Sequence, residues 1–408
     1  MHTIIIMLII VISLSGCVAP YRNPPVISGE PFAGIADVLK EKHSTPSSVD
    51  VVLIHGMCTH EPLWVAEANN GLAKALGSNQ TFDKEAVLKH ADPVDGKTVV
   101  YHLEIDIGNG IAVYTHSILW SPVTTPAKKS LCYDVKDRDG GEGVESICKD
   151  HPTPYGKKRA SLNTSLKDQL VDDCFSDAIL YSGEEMGGHI RNEIAQALLK
   201  SVGYRAGTKN LQALADHAAK EVAPLFFISE SLGSKILFDT LLEMLGKRKP
   251  SENKTMMAPM AKAAQGTIER TWQVFMDANQ IPLLSLACIT PQGKVPKDSW
   301  DTICQHPLQV LGEVFSASGK KGQELARLGR PQILKVVAFT DPNDLLSFPL
   351  KDSHLDGGTT YKLTDVTVSN ANTYFGIWEN PLSAHQGYRK NEDVNKCIAF
   401  GYPTAQCP

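Results

Sequence analysis

Ser231 lies in the segment Leu225-Phe226-Phe227-Ile228-Ser229-Glu230-Ser231-Leu232-Gly233-Ser234, a setting in which a hydroxyl can become a nucleophile. The apolar run from Leu225 to Ile228 reads as a buried parallel strand. Ile236, Leu237, Thr240, Leu241 and Leu245 then recur at helical spacing. A strand that becomes a helix within five residues must turn sharply, which holds the central serine above the sheet edge beside the first helix N–H groups. Such a serine needs an imidazole to take its proton, and the imidazole needs a carboxylate to fix its tautomer and stabilise its cation. The chain has thirteen histidines, and its segment Thr340-Asp341-Pro342-Asn343-Asp344-Leu345-Leu346-Ser347-Phe348-Pro349 offers two acids for that role.

The surrounding elements are those that would bring such residues together. Residues 50–57 read as an apolar strand closing on His55-Gly56-Met57, where glycine lets the backbone curl. A helix is predicted over 63–76, and strands over 98–105 and 111–120 are joined by Gly108-Asn109-Gly110, which suits a hairpin turn. Residues 121–161 read as a long polar loop, followed by helices over 166–181 and 190–202. Beyond the turn at Ser231, a helix is predicted over 261–278 and a strand over 281–287. Residues 288–330 read as an insertion, and strands follow over 333–339 and 366–370. Strands alternating with helices imply an α/β fold with a mostly parallel central sheet and helices on both faces.

Taken together, these segments resemble the α/β-hydrolase superfamily of serine hydrolases, the lipases and esterases. Ser229-Glu230-Ser231-Leu232-Gly233 is similar to that family's nucleophile elbow, with serine in place of the first glycine. Gly233 answers the family's need for a small residue where strand and helix nearly touch. Asn343-Asp344-Leu345-Leu346 resembles the acid loop of fungal-type lipases. The chain is also similar to bacterial hydrolases with a Trp-Ser-Pro segment (Trp120 to Pro122) and a His-x-Gly-Tyr base loop (His385 to Tyr388). The family's chain order of serine, acid, histidine implies Ser231 as nucleophile, Asp344 as acid and His385 as base. Asp341, before a proline, reads instead as a turn cap. His354 follows Asp344 too closely to leave room for another strand. The resemblance further implies Met57 and Leu232 N–H groups as oxyanion donors, with His55 and Gly56 supporting them. It also implies cleavage of carboxylic esters through an acyl-enzyme, without metal or organic cofactor. The same triad could serve acyl transfer, or the scaffold could be a non-catalytic envelope lipoprotein.

The chain of 408 residues carries a net charge of −5 and is 42% hydrophobic, a globular composition that gives no reason to expect nucleic acid as a partner. Residues 3–14 are almost wholly apolar, too short to span a bilayer and about the length of a signal-peptide core. Leu14-Ser15-Gly16-Cys17 follows and resembles the bacterial lipobox. This implies a signal peptide over 1–16, lipidation of Cys17, a tether over 17–48 and a hydrolase domain over 49–408. Val18 after the cysteine resembles outer-membrane sorting, so the expected partners are a membrane and a lipid or other ester substrate. Setting Cys17 aside leaves eight cysteines, an even number that favours disulfides in an exported chain. Near neighbours suggest Cys132/Cys148, Cys288/Cys304 and Cys397/Cys407, with Cys58 and Cys174 as the remaining pair.

Overall fold

Ser48–Ile54 reads Ser-Val-Asp-Val-Val-Leu-Ile, and all seven residues are buried, as expected of a strand covered on both faces. In the computed structural model, which describes residues 20–40, 48–131, 159–248, 257–284, 286, 307–350 and 360–407, this strand lies near the middle of one sheet. The strands are β1 (Val26–Ser28), β2 (Ser48–Ile54), β3 (Ala91–Pro93), β4 (Val99–Asp106), β5 (Ala112–Leu119), β6 (Leu225–Glu230), β7 (Thr271–Asp277), β8 (Leu334–Thr340) and β9 (Tyr361–Thr367). Their order across the sheet is β1-β9-β8-β7-β6-β2-β5-β4-β3. From β5 through β9 every neighbouring pair is parallel, and β1, β4 and β3 pair antiparallel at the two edges.

Alternate residues of each strand feed two separate cores, the consequence of a side-chain period of two. Phe227 and Val336 pack in a layer with Ile194, Leu198, Ile236 and Leu241, from helices Glu184–Val202 and Leu232–Met244. Phe226 and Val337 pack on the other face with Val65, Leu72 and Ile398, from helices Pro62–Ala75 and Glu392–Phe400. This is the α/β architecture with a mostly parallel, two-sided sheet that the strand–helix alternation implies.

Several expectations are corrected. The helix predicted over 261–278 is a helix at Met257–Glu269 followed, after Arg270 alone, by β7. The strand predicted over 281–287 begins instead as a short helix, Ile281–Leu284. The strand predicted over 366–370 lies earlier, as β9. The tether predicted over 17–48 is, from Val26, part of the folded body. There β1 extends the sheet beside β9, and Ile35, Val38 and Leu39 are buried. Part of the predicted insertion is also body, since Leu308, Leu311 and Phe315 of helix Pro307–Ser316 sit in the core. The predicted loop over 121–161 starts as ordered turns, Ser121–Val123 and Thr125–Lys129.

Among the described residues no helix is long and apolar enough to cross a membrane. Two of the expected disulfides form, Cys58–Cys174 and Cys397–Cys407. Cys17, Cys132, Cys148, Cys288 and Cys304 lie outside the described residues, as does His354.

Candidate active site

Ser231 sits between the last residue of β6 and the first residue of helix Leu232–Met244, with φ 52° and ψ −126°. A non-glycine residue there is strained, and such strain persists only where the surroundings enforce it. Three contacts enforce it. The Ser231 N–H donates to Asp277 O at 2.7 Å, which holds the turn against β7. A Cβ on Gly233 would lie 2.4 Å from His55 O, so only glycine lets the helix start this close to β2. A Cβ on Gly56 would lie 2.6 Å from Ser231 Cβ, so the loop after β2 abuts the serine directly. Ser229, where the family pattern has glycine, is accommodated by hydrogen bonding: its Oγ pairs with Ser234 Oγ at 2.9 Å and donates to Phe275 O at 3.3 Å.

The carboxyl ends of β8 and β9 supply the other two members. Asp344 is buried in the loop after β8, and His385 lies in helix Pro381–Gln386 after β9. His385 Nδ1 is 2.9 Å from each Asp344 carboxylate oxygen. A carboxylate only accepts, so Nδ1 carries the proton and Nε2 keeps the lone pair, the tautomer a general base requires. Tyr388 OH donates to Asp344 Oδ2 at 3.1 Å and accepts from Asp341 N–H at 2.8 Å. Asp341 is the turn cap: its Oδ1 accepts from Asn343 N–H at 2.9 Å and its Oδ2 from Asn370 N–H at 2.6 Å. Burial raises its pKa to about 6, against those two bonds.

No hydrogen bond joins the serine to the base. Ser231 Oγ is buried and makes no hydrogen bond. Catalytic hydrogen bonds in general are often long before a substrate binds and tighten only in the reactive complex.

Around the predicted oxyanion donors the backbone is firmly held. Leu232 opens its helix, so its N–H belongs to the first turn, which has no intrahelical acceptor. Just past Met57, Cys58 takes φ 81°, its N–H donates to Asp177 Oδ2 at 2.8 Å, and its sulfur is bonded to Cys174. Lys128, fully buried, lies 3.1 Å from both the Asp173 and Asp177 carboxylates. His55 stacks on Trp120 at 5.1 Å, and its Nε2 accepts from Trp120 N–H and Ser121 N–H. Its Nδ1 donates to Gly56 O at 2.8 Å. Burial, and then His60, keep His55 uncharged well below the usual histidine range. His55 is therefore a neutral strut of the loop rather than a base. Cys58, Asp173 and Cys174 approach within ligand distance of one another, but the two sulfurs are bonded together and leave no thiolate to hold an ion.

Sequence reasoning gave no role to three groups beside the site. Tyr388 stood in the quoted base-loop motif, yet its bond to Asp344 depends on how the loop folds back. Glu230 and Asp277 are opposite one another in the β6/β7 register. Burial raises both carboxyls, and Glu230 raises Asp277 further. Glu230 accepts from Trp64 Nε1 at 3.0 Å and faces Arg389 at 3.8 Å. Finding that pair from sequence required β7, which the helical pattern before it concealed. No family model matches the chain, and no curated protein or solved structure matches it.

Proposed function

We propose that the chain is a serine hydrolase of carboxylic esters built on the α/β-hydrolase fold. One observation carries this reading: His385 is oriented by Asp344 at the same rim of the sheet where Ser231 is held in a strained turn. The serine follows a central strand, the acid the second strand beyond it and the histidine the third, with the oxyanion loop after the neighbour on the other side.

In the proposed reaction, Ser231 Oγ attacks the acyl carbonyl carbon as His385 Nε2 takes its proton. The carbonyl oxygen becomes an anion that accepts from Met57 and Leu232 N–H groups, each worth about 2.7–4 kcal/mol of transition-state stabilisation. Collapse expels the alcohol, protonated by His385, and leaves an acyl-serine. Water, deprotonated by His385, then attacks the acyl carbon and releases the acid. Burial raises the carboxyls of Glu230 and Asp277, which disfavours added negative charge beside the developing anion. The lipobox-like Leu14 to Cys17 segment supports anchorage in a bacterial envelope, and hence a lipid or acyl-chain ester as substrate.

A fluorophosphonate probe tests the reading. Wild-type protein should be labelled on Ser231, and Ser231→Ala should not. Absence of labelling in folded wild-type protein would overturn the proposal and favour a non-catalytic scaffold, the reading to which the unbonded Ser231 Oγ lends support. The enclosure of Ser231, 3% exposed, favours a second enzymatic reading in which an alcohol replaces water as acyl acceptor. Transesterified product persisting in excess water would select it.

A further inference from the structure

The loop between β9 and His385 carries the most exposed apolar side chains of this rim. Tyr374 and Trp378 bridge as a short antiparallel hairpin, with Tyr374 N–H donating to Trp378 O at 2.8 Å and Trp378 N–H to Tyr374 O at 3.1 Å. Its tip is Phe375-Gly376, both at positive φ (58° and 64°). A water-facing turn of that geometry is ordinarily made of Asn-Gly or Asp-Gly. Here a phenylalanine accepts the left-handed conformation, and Phe375, Ile377 and Trp378 are 64%, 86% and 60% exposed. Leu345, 71% exposed, extends the apolar surface onto the acid loop.

This hairpin is not a loose appendage. Glu379 at its base accepts from Asn343 Nδ2 at 2.7 Å, Ala371 N–H at 3.1 Å and Thr373 Oγ1 at 2.9 Å, which ties it to the loop carrying Asp344. Its outer side is bound to the start of the described chain. Tyr21 and Thr373 exchange backbone hydrogen bonds at 3.2 and 2.9 Å, and exposed Arg22 donates to Asn372 Oδ1 at 3.2 Å. Tyr21 lies four residues from Cys17, so an extended chain separates them by at most about 14 Å.

We infer that the Tyr374–Trp378 hairpin is a second membrane contact, which seats its Phe375, Ile377 and Trp378 side chains in the interface of a phospholipid bilayer. Two observations select a bilayer as the occupant: the proximity of the apolar tip to the segment read as anchored, and the grouping of exposed Trp378 and Tyr374 with exposed Arg22, the residue types that membrane interfaces favour. Since β8 and β9 both deliver their loops to this rim, the contact turns the Ser231–His385 edge toward the lipid. The inference rests on the envelope-anchoring reading of the N-terminus and not on the ester chemistry.

The test is fluorescence quenching of the full-length protein in phosphatidylcholine–phosphatidylglycerol vesicles whose acyl chains are brominated near the headgroup. Trp64, Trp120 and Trp272 are buried and Trp300 lies outside the described residues, so Trp378 is read as the difference between wild type and Trp378→Phe, in which the other four tryptophans cancel. Vesicle-bound wild type should lose more fluorescence to the brominated lipid than vesicle-bound Trp378→Phe. A Phe375→Asp/Ile377→Asp variant should remain vesicle-bound but lose the difference. Equal quenching of wild type and Trp378→Phe in bound protein would overturn the inference, as would failure to sediment with vesicles. A doubled mass with Trp378 already shielded in lipid-free protein would assign the surface to a second copy. No substrate is used, so inert Ser231 leaves the result standing, and an unquenched Trp378 leaves the hydrolase reading standing.

Discussion

His385 Nδ1 is equidistant, at 2.9 Å, from the two oxygens of a fully buried Asp344 carboxylate, a geometry that fixes both the ring plane and the tautomer. Asp344→Asn preserves the shape but lets the amide donate, which favours the other tautomer and puts a proton on Nε2. Ester turnover and fluorophosphonate labelling should then fall by about 10⁴-fold, with little change in thermal stability. A loss of under tenfold would remove Asp344 from the triad.

Tyr388→Phe separates support from chemistry. It removes the hydroxyl shared by Asp344 Oδ2 and Asp341 N–H, leaving that buried N–H without its acceptor. Stability should fall by about 1–3 kcal/mol in urea unfolding. The turnover loss should be much smaller than for Asp344→Asn, because the His385–Asp344 bond remains.

The strain at Ser231 makes a second separation possible. Ser231→Gly removes the cost of holding a side chain at φ 52°, so the variant should be more stable than wild type by about 1 kcal/mol while losing all labelling. Gly56→Ala should act in the opposite direction: a new Cβ 2.6 Å from Ser231 Cβ displaces either the elbow or the oxyanion loop. It should cut labelling at least as severely as loss of an oxyanion donor, by about 10²–10³-fold. Wild-type labelling of Gly56→Ala would show that the loop does not approach the serine as described.

How much of this could be read from sequence follows from what each element announces. β2, β6 and β8 are continuous apolar runs ending in His-Gly, Ser-x-Gly and Asp-Pro punctuation, so the strands and the residues they present were legible together. β7 was not. Thr271–Asp277 follows helix Met257–Glu269 with neither glycine nor proline between, and the apolar spacing continues across the join. What breaks the helix is tertiary: Arg270 extends its guanidinium to Asp50 Oδ2 at 2.7 Å and Ala223 O at 2.8 Å. Missing β7 also concealed the carboxyl pair of Glu230 and Asp277, which exists only through strand register. Ile35 and Leu39 were likewise lost in a polar stretch whose burial depends on packing against the distant helix Glu392–Phe400.

The Cys58–Cys174 disulfide spans 116 residues and leads out of the predicted oxyanion loop, whereas Cys397–Cys407 spans 10. Loop-closure entropy grows with span, so Cys174→Ser should cost more stability than Cys407→Ser, about 3–5 against about 2–3 kcal/mol. Only the former should also lower turnover, because it frees the chain beside Met57. Equal losses of activity would indicate that the bridge does not position the loop.

Stability should depend on pH through histidines other than His385. His102 and His116 face each other across β4 and β5 with Nδ1 atoms 2.8 Å apart, and Tyr204 stacks on His102 at 4.2 Å. Burial, then the neighbouring His116, push His102 down to about 3 from its ordinary 6.5. His60 is held near the same value by burial and then by Arg389. A histidine depressed in the fold binds fewer protons there than in the unfolded chain. Its contribution is complete above pH 6.5 and is lost as pH falls toward 3. Asp341, raised to about 6, has the opposite sign: its protonated form favours the fold, and that contribution is lost as pH rises from 3.8 through 6. Between pH 7 and pH 5 each depressed histidine therefore costs roughly 2 kcal/mol of stability in urea unfolding, while the raised carboxyls of Asp341, Glu230 and Asp277 act in the opposite direction. His102→Gln should lower stability at pH 7 and flatten that slope. An unchanged slope in the variant would show that His102 does not contribute to it in this window.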